Sequence, residues 1–206
     1  MDLVDFLFRK IIEEGEGIER GENELFVIDL VRCPKKLKNE LSYPYLKEPP
    51  RPWLVKGVLI HRGLSHYLEL YAEEKNVKVE IEKDISKTFN VKGKDIKVRG
   101  RVDAVVDGVP VEIKSVEGKI VPNGHHIEQL SIYMNMLGAR EGILLYVTPA
   151  RICDYRVSTP MPDEEIKRRI EEALGIIPAK VPRYEWECDL CWYNTVCNRM
   201  PENVSL

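Results

Sequence analysis

Residues 100–114 read GRVDAVVDGVPVEIK, and this stretch decides the fold. Apolar residues alternate with other residues on both sides of Asp107-Gly108, a dipeptide that strongly favours a two-residue β-hairpin loop. Positions equidistant from such a loop pair with each other, which places Asp103 opposite Glu112. Directly opposed carboxylates repel each other, because their Cβ atoms are roughly 4.5–5.5 Å apart. A hard divalent cation between them would remove the repulsion, since such ions prefer oxygen ligands.

The same hairpin places Lys114 on the face of Glu112, because side chains two residues apart on a strand share a face. An ammonium group there can orient a water or stabilise charge on a phosphate. The alternative is that these charged residues form the solvated face of a two-stranded ribbon. Val105 and Pro110 share that face, which argues for partial burial. A bulge at Gly108 would move the carboxylates without removing them.

The rest of the chain predicts helices and strands around this hairpin. Apolar residues recur at helical spacing in four stretches and at alternate positions in the strands, which favours a mixed α/β core. The proline-rich residues 44–52 predict an irregular connection. The predicted helices cover residues 3–14, 55–71, 124–137 and 163–174, and the predicted strands lie within residues 77–107, 109–113, 142–148 and 152–157.

The composition fits one globular domain. The chain has 206 residues, of which 44% are hydrophobic and 32% are charged, so it can bury one substantial core. We expect no membrane segment, because no apolar run approaches the roughly 18 residues that a span needs. The N-terminus carries acids where a secretory signal has lysines, which predicts a cytoplasmic protein. Abundant Lys and Glu beside a single Gln are typical of thermophile proteins.

The net charge of −3 excludes a globally basic nucleic-acid-binding protein but permits local basic segments. Residues 92–101 carry five basic side chains against one acid, and residues 32–38 carry four basic side chains. Contacts to phosphate need such local charge rather than a basic average. We therefore expect any binding to nucleic acid to be modest and sensitive to salt.

Three cysteines, Cys188, Cys191 and Cys197, lie close together near the C-terminus, and Cys33 is the best fourth partner for them. Thiols of a cytoplasmic protein are reduced or metal-bound. Four thiolates suit tetrahedral zinc or an iron–sulfur cluster, and ligand counting alone slightly favours zinc as the commoner structural ion. We expect Cys153, on a predicted strand, to be a packed thiol.

The segment Gly100-Arg101-Val102-Asp103, followed after eight residues by Glu112-Ile113-Lys114, resembles the core of the PD-(D/E)xK restriction-endonuclease-like nucleases. The RecB-like branch is more similar still. It adds an upstream helical histidine, matched by His61, and a downstream Gln-x-x-x-Tyr, matched by Gln129 and Tyr133. The longer superfamily signature has a proline before the motif's aspartate, where this chain has Val102.

One N-terminal and three C-terminal cysteines around such a core resemble the iron–sulfur-clasped nucleases. At this length the chain is most similar to the CRISPR-associated RecB-like nucleases of spacer acquisition, called Cas-four, from Cys33 to Cys197. The resemblance implies a restriction-endonuclease-like mixed sheet flanked by helices, with a 4Fe–4S cluster as first choice and 2Fe–2S as second. It implies one nuclease domain over residues 1–206, with a core at about 55–160 and a clasp formed by the Cys33 region and residues 184–200.

The resemblance further implies metal-dependent hydrolysis of DNA phosphodiester bonds with Mn²⁺ or Mg²⁺. The expected substrates are single strands or overhangs, cut exonucleolytically and in some family members endonucleolytically. Lys114 would position or activate the attacking water. The resemblance implies Lys114, Asp103 and Glu112 as catalytic residues, His61, Asp103, Glu112 and the backbone carbonyl of Ile113 as metal ligands, and Gln129, Tyr133 and Arg101 as supporting or DNA-contact residues.

The partners that the resemblance implies are DNA and the integrase proteins of CRISPR adaptation, and the sequence leaves the oligomeric state open, a homo-oligomer included. One alternative is a non-catalytic iron–sulfur DNA-binding subunit of a nuclease or integrase complex. It is disfavoured because every residue that the chemistry requires is present. Another alternative, a small electron-transfer protein, would need no opposed carboxylates. We expect His125 and His126 to be surface residues, with contact to DNA as the alternative role.

Overall fold

The computed structural model describes residues 2–15, 20–46, 51–118 and 121–197. Within these ranges the chain forms six strands, six α-helices and two short 3₁₀ turns, Pro44–Leu46 and Glu185–Glu187. The strands are β1 (Glu24–Phe26), β2 (Val79–Val91), β3 (Lys94–Val106), β4 (Val109–Ser115), β5 (Gly142–Val147) and β6 (Ile152–Val157). The helices are α1 (Leu3–Gly15), α2 (Val27–Val31), α3 (Pro34–Ser42), α4 (Pro52–Lys75), α5 (Gly124–Leu137) and α6 (Asp163–Ala173).

The predicted helices and strands are confirmed, with changes at their ends. Helix α4 begins at Pro52, which the sequence places in an irregular connection. Proline is well suited to the first helical turn, because the N–H that it lacks would have no partner there. The long predicted β region is a hairpin of β2 and β3 that turns at Lys92 and Gly93, whose φ angles are 52° and 81°. Strand β1 and the short helices α2 and α3 were not predicted.

One mixed sheet contains all six strands in the described part of the chain. Strand β2 pairs antiparallel with β3 along its length. Strand β1 pairs parallel with β3, whereas β4 pairs antiparallel with it. Beyond β4, strand β5 adds in parallel and β6 in antiparallel orientation. This mixture of orientations confirms the predicted mixed α/β architecture.

The two edges of β3 are used differently. Strand β2 occupies one edge throughout, so β1 and β4 both pair with the other edge. Strand β1 pairs with residues 97–99 of β3, and β4 pairs with residues 104–106. Residues 100–103 therefore lie between the two partner strands, and their backbone groups on this edge need other partners. These four residues are the first part of the nuclease-like motif.

Two hydrophobic cores fix the helices on the sheet. The larger core joins β2 and β3 to α2, α5 and α6, and the smaller one lies between α5 and the pair β5 and β6. Helix α4 packs on β2, β3 and β4. The fully buried residues of the larger core include Val27, Leu30, Val98, Ile132, Ile166 and Ile170, and those of the smaller core are Leu130, Met134, Leu144 and Tyr146.

No helix in the described ranges has both the length and the apolar character that crossing a bilayer requires.

Candidate active site

The hairpin of β3 and β4 has the predicted register near its loop. Ala104 pairs with Val111, as a two-residue loop requires. The loop residues Asp107 and Gly108 have φ angles of 48° and 83°. Positive φ at both central positions is the requirement of a type I′ turn, which explains the Asp-Gly dipeptide. No bulge therefore shifts the strands against each other at this loop.

The ladder ends before the predicted Asp103–Glu112 pair, which does not form. Instead, Asp103 Oδ2 accepts a hydrogen bond of 2.7 Å from the backbone N–H of Ile113. Strand β4 continues by pairing with β5, where Ile113 lies opposite Leu145. The side chain of Asp103 thus accepts the hydrogen bond of the Ile113 N–H, which no backbone carbonyl of β3 accepts because the ladder ends at Ala104. The carboxylate of Asp103 nevertheless lies beside the residue that follows Glu112, and its charge raises the pKa of Glu112.

Glu112 is a buried carboxylate with one free oxygen. The residue is 3% exposed. Its Oε1 atom accepts hydrogen bonds of 2.8 Å from both Lys114 and Gln129, while the buried Oε2 atom has no hydrogen-bond partner among the described residues. Burial raises the pKa of Glu112 to about 7, against the opposing effect of the Lys114 ammonium. A buried polar atom without a partner is rare and calls for an explanation, such as an ion.

Gln129 joins the catalytic candidates from helix α5. Its carbonyl oxygen accepts a hydrogen bond of 2.9 Å from Lys114 Nζ, and its amide nitrogen donates to Glu112. Since Lys114 also bonds Glu112 directly, the three side chains form a closed triangle. An amide can accept from the ammonium through its oxygen and donate to the carboxylate through its nitrogen at the same time. The triangle therefore fixes the position of the Lys114 ammonium on Glu112 Oε1.

Tyr133 fills the gap between β1 and β4. Its buried hydroxyl donates a hydrogen bond of 3.2 Å to the backbone carbonyl of Arg101, and it accepts one of 3.3 Å from Gln129. Burial raises the pKa of Tyr133, so the hydroxyl remains a donor. The ring reaches this place because Gly100 has no side chain. The motif alone does not predict this role of Gly100, although a glycine within a strand often marks such a close approach.

His61 comes to the site from helix α4. Its Nδ1 atom lies 3.4 Å from Asp103 Oδ1. His61 also lowers the pKa of Glu112, which places the imidazole within electrostatic range of both carboxylates. Helix α4 and strands β3 and β4 thus bring together the three side chains that the sequence predicts as metal ligands.

The predicted basic segment is partly paired with acids. Arg101 contacts Glu82 at 3.1 Å and Asp84 at 3.7 Å, both on β2. Arg99 contacts Glu24 of β1 at 3.1 Å, and Glu24 is buried. Part of the positive charge expected for phosphate contacts is therefore neutralised within the fold. The sequence could not show this, because the acids come from other strands.

The prediction that His126 is a surface residue is wrong. His126 is 9% exposed and its Nδ1 atom lies 2.8 Å from the Tyr146 hydroxyl, because the first turn of α5 packs on β5. Burial lowers the pKa of His126 to about 2, and the charges of Lys114 and His125 add to this effect. His125 is half-buried and contacts the ring of Trp186, with ring centroids 4.8 Å apart.

The cysteine segments from the two ends of the chain meet. Glu187 accepts a hydrogen bond of 2.7 Å from the backbone N–H of Cys33. Burial raises the pKa of Cys33 and of Cys191, and the proximity of Cys197 raises both further. Cys188 also raises the pKa of Cys191. These four cysteines are free thiols, and residues 198–200 of the predicted clasp lie outside the described residues.

The fifth cysteine, Cys153, is also a free thiol. It lies on β6 opposite Tyr146 and packs against the smaller core, as expected for a packed thiol.

The metal-ligand candidates fit a divalent ion by their chemistry. As they stand, no group of three or more His, Cys, Asp or Glu side chains in the described ranges is arranged so that it could hold a metal ion. The donors are nonetheless two carboxylates and an imidazole, which suit a hard or borderline cation. The free oxygen of Glu112 is the observation that favours an ion here.

A protein of known family is similar to this chain over nearly its whole length. The chain is 34% identical over 203 residues to the CRISPR-associated exonuclease Cas4 of Saccharolobus solfataricus strain P2, which covers 95% of this chain and 97% of that protein. The chain belongs to the Cas4 family. Cas4 membership confirms the resemblance seen in the sequence, although no protein-family model matches the chain.

Solved structures support the fold of this Cas4 family member. The crystal structure of SSO0001 is similar with a TM-score of 0.88 and 33% identity, over 97% of this chain and 98% of that one. An alkaline exonuclease from Laribacter hongkongensis is similar with a TM-score of 0.51 and 13% identity, over 75% of this chain and 87% of that one. The restriction-endonuclease-like fold of the chain is thereby confirmed.

Proposed function

We propose that this Cas4 family member is a divalent-metal-dependent DNA nuclease that trims single strands or overhangs exonucleolytically. The observation that carries the proposal is the buried Glu112, which is held by Lys114 and Gln129 and keeps one unpartnered oxygen near Asp103 and His61. A structural core would not need a buried carboxylate in this state, because the cost of desolvating it is not recovered. The Saccharolobus solfataricus relative is named an exonuclease, which supports this activity.

The residues that would hold Mn²⁺ or Mg²⁺ are His61, Asp103, Glu112 and the backbone carbonyl of Ile113. When bound, such an ion supplies a Lewis acid that polarises a phosphate and activates water. The hydrogen bond from Ile113 N–H holds one oxygen of Asp103 in place and leaves the other facing His61. Glu112 offers its Oε2 atom in the same region.

Lys114 is the proposed acid–base or orienting residue. Its ammonium is held between Glu112 and Gln129 at 2.8 and 2.9 Å, so it is fixed beside the carboxylates with a donor to spare. From there it can orient a water or stabilise negative charge that develops on a phosphate oxygen. Tyr133 supports Gln129 and closes the gap in the sheet edge behind the site.

We further propose that Cys33, Cys188, Cys191 and Cys197 hold an iron–sulfur cluster, with 4Fe–4S favoured over 2Fe–2S. The convergence of Cys33 with the C-terminal cysteines supports this ligand set. Such a cluster would tie the ends of a single nuclease domain together, as a structural metal site does.

The CRISPR-associated name of the relative supports a role in spacer acquisition. We propose that the chain acts there on DNA together with the integrase proteins of CRISPR adaptation. The natural substrate would then be the DNA that is trimmed before integration.

The test is cleavage of end-labelled single-stranded DNA, overhang DNA and blunt duplex by the full chain with Mn²⁺ or Mg²⁺. We expect cleavage of the first two substrates, loss of cleavage with EDTA, and a decrease of roughly 10²- to 10⁴-fold in Asp103→Ala and Lys114→Ala. Lys56→Ala is the matched control, because Lys56 is an exposed lysine that pairs with Glu117 and is not a member of the triangle. Cleavage that persists in both site variants would show that the site is wrongly assigned.

A further inference from the structure

An aromatic group beside the active site has no part in the catalytic triangle. It consists of His125, at the start of α5, and of Tyr184 and Trp186, which flank the start of the last 3₁₀ turn. The His125 and Trp186 ring centroids are 4.8 Å apart, and those of His125 and Tyr184 are 5.6 Å apart. Tyr184 and Trp186 are stacked, with 6.1 Å between centroids and 20° between planes. We call these three residues the ring cluster.

The ring cluster continues the catalytic face of α5. His125, Gln129 and Tyr133 are spaced by four residues, so they lie on one face of the helix over two turns. Gln129 and Tyr133 both belong to the site network. The pKa of His125 is lowered by burial and, next, by the charge of Lys114, which places the imidazole within electrostatic range of the ammonium. The rings therefore lie at the Lys114 end of the site.

Trp186 is exposed but firmly held. The residue is 45% exposed, although its ring contacts the rings of His125 and Tyr184. Glu187 fixes the adjoining backbone, because its two carboxylate oxygens accept hydrogen bonds from the backbone N–H groups of Tyr184 and Cys33. Burial together with the neighbouring Glu128 raises the pKa of Tyr184 to about 12. The Tyr184 ring is therefore the partly buried ring on which Trp186 is stacked.

We propose that Trp186 and His125 form a stacking platform for a base of single-stranded DNA whose backbone passes Lys114. This proposal rests on the proposed nuclease function and adds the way in which the site holds an unpaired strand. An exposed ring that is held rigidly binds a base at little cost in conformational entropy. Every base has a π-face, so the platform would be tolerant of sequence. A base within a duplex is already stacked, and the platform therefore distinguishes single strands from duplex DNA.

Binding without cleavage tests the platform. The full chain is titrated against a fluorescently labelled single-stranded oligonucleotide in EDTA, and fluorescence anisotropy reports the Kd. We expect Trp186→Ala to raise the Kd roughly 5- to 150-fold, which corresponds to the loss of one stacked base, and Trp186→Phe to recover most of the affinity. Trp53→Ala is the matched control, because Trp53 is 48% exposed and lies on α4. The Kd of the Trp53→Ala variant should equal that of the wild type.

Oligonucleotides with one abasic position give the readout that a purely structural role of Trp186 would not produce. In the wild type, one abasic position should weaken binding as much as Trp186→Ala does, whereas in Trp186→Ala the same position should have no further effect. An unchanged abasic penalty in Trp186→Ala, or an unchanged Kd of that variant, would overturn the proposal. If Trp186→Ala unfolds, as judged by circular dichroism, His125→Gln is tested in the same way with the same two criteria.

The platform and the nuclease function can fail separately. Metal-dependent cleavage by the wild type with no effect of Trp186 on binding would refute the platform alone. Binding that depends on Trp186, in a chain that cleaves no DNA with either ion, would refute the nuclease function and support a DNA-binding subunit that uses the same platform.

Discussion

Gly100 and Tyr133 fit together so closely that no other residue can replace the glycine without movement. A Cβ atom on Gly100 would lie 2.4 Å from Cε1 of Tyr133 and 3.0 Å from Val27. The missing side chain lets the tyrosine ring enter the gap between β1 and β4, where its hydroxyl bonds the carbonyl of Arg101. This contact joins helix α5 to the strand that carries Asp103.

We predict that Gly100→Ala lowers the free energy of unfolding by roughly 1–3 kcal/mol, because the added methyl group overpacks a core that cannot easily move. It should also slow DNA cleavage, since displaced Tyr133 and Gln129 no longer support Lys114. Denaturant unfolding and cleavage rates measure the two effects. Gly63→Ala is the control, because a Cβ atom at position 63 would meet no atom within 4 Å. Alanine also has a higher helix propensity than glycine at this exposed position of α4. Equal stability of the two variants would contradict the prediction.

Gln129 is a positioning residue, and its removal should weaken the site without unfolding the domain. In Gln129→Ala the Lys114 ammonium loses one of its two fixed partners. We expect cleavage to slow by roughly 10- to 100-fold, as is typical when a group that orients catalytic or metal-binding residues is removed. Gln129→Glu should be slower still, because it places a second carboxylate beside Glu112. The cleavage rates of both variants are compared with that of the wild type, and similar thermal unfolding midpoints show that the variants remain folded. A decrease in rate of less than about twofold would exclude the positioning role of Gln129.

His126 should make the protein sensitive to acid. Its pKa is lowered to about 2 in the fold by burial, whereas an unfolded histidine has a pKa of about 6.5. His126 therefore binds a proton in the unfolded chain but not in the folded chain. The free energy of unfolding decreases as the pH falls below about 6.5. Between pH 7.5 and 5.5 the wild type should lose about 1.4 kcal/mol more than His126→Gln.

Denaturant unfolding at the two pH values measures this difference. The exposed His66→Gln variant is the control and should keep the pH dependence of the wild type. Identical pH dependence of wild type and His126→Gln would show that His126 is not a neutral buried group.

The cysteine clasp should be visible in the colour and the stability of the protein. We expect anaerobically purified wild type to be brown, and Cys191→Ser to lose visible absorbance. The variant should also lose up to roughly 4 kcal/mol of unfolding free energy, because the clasp closes most of the chain into a loop. Absorbance, iron analysis and denaturant unfolding measure these effects, with Cys153→Ser as the control thiol. A colourless wild type with stoichiometric zinc would refute the iron–sulfur cluster.

Local signals explain the part of this structure that could be predicted. The turn at Asp107-Gly108 follows from the φ angles that these two residues tolerate, and alternating apolar residues identify β3 and β4 with the observed register near the loop. The spacing of four residues between Gln129 and Tyr133 placed these two side chains on one face of α5. The types of catalytic side chain could also be predicted, because the motif is defined by residue types and their spacing in the sequence.

The sequence by itself thus determined the hairpin, the helix faces and the chemistry that the side chains offer, because those depend on neighbours within a few positions. The tertiary structure alone decided how they combine. The end of the ladder at Ala104, the burial of His126 and the free oxygen of Glu112 arise where distant segments pack on each other. The physical reason is that burial and hydrogen-bond partners depend on which surfaces meet. Surfaces from distant parts of the sequence meet only in the folded chain.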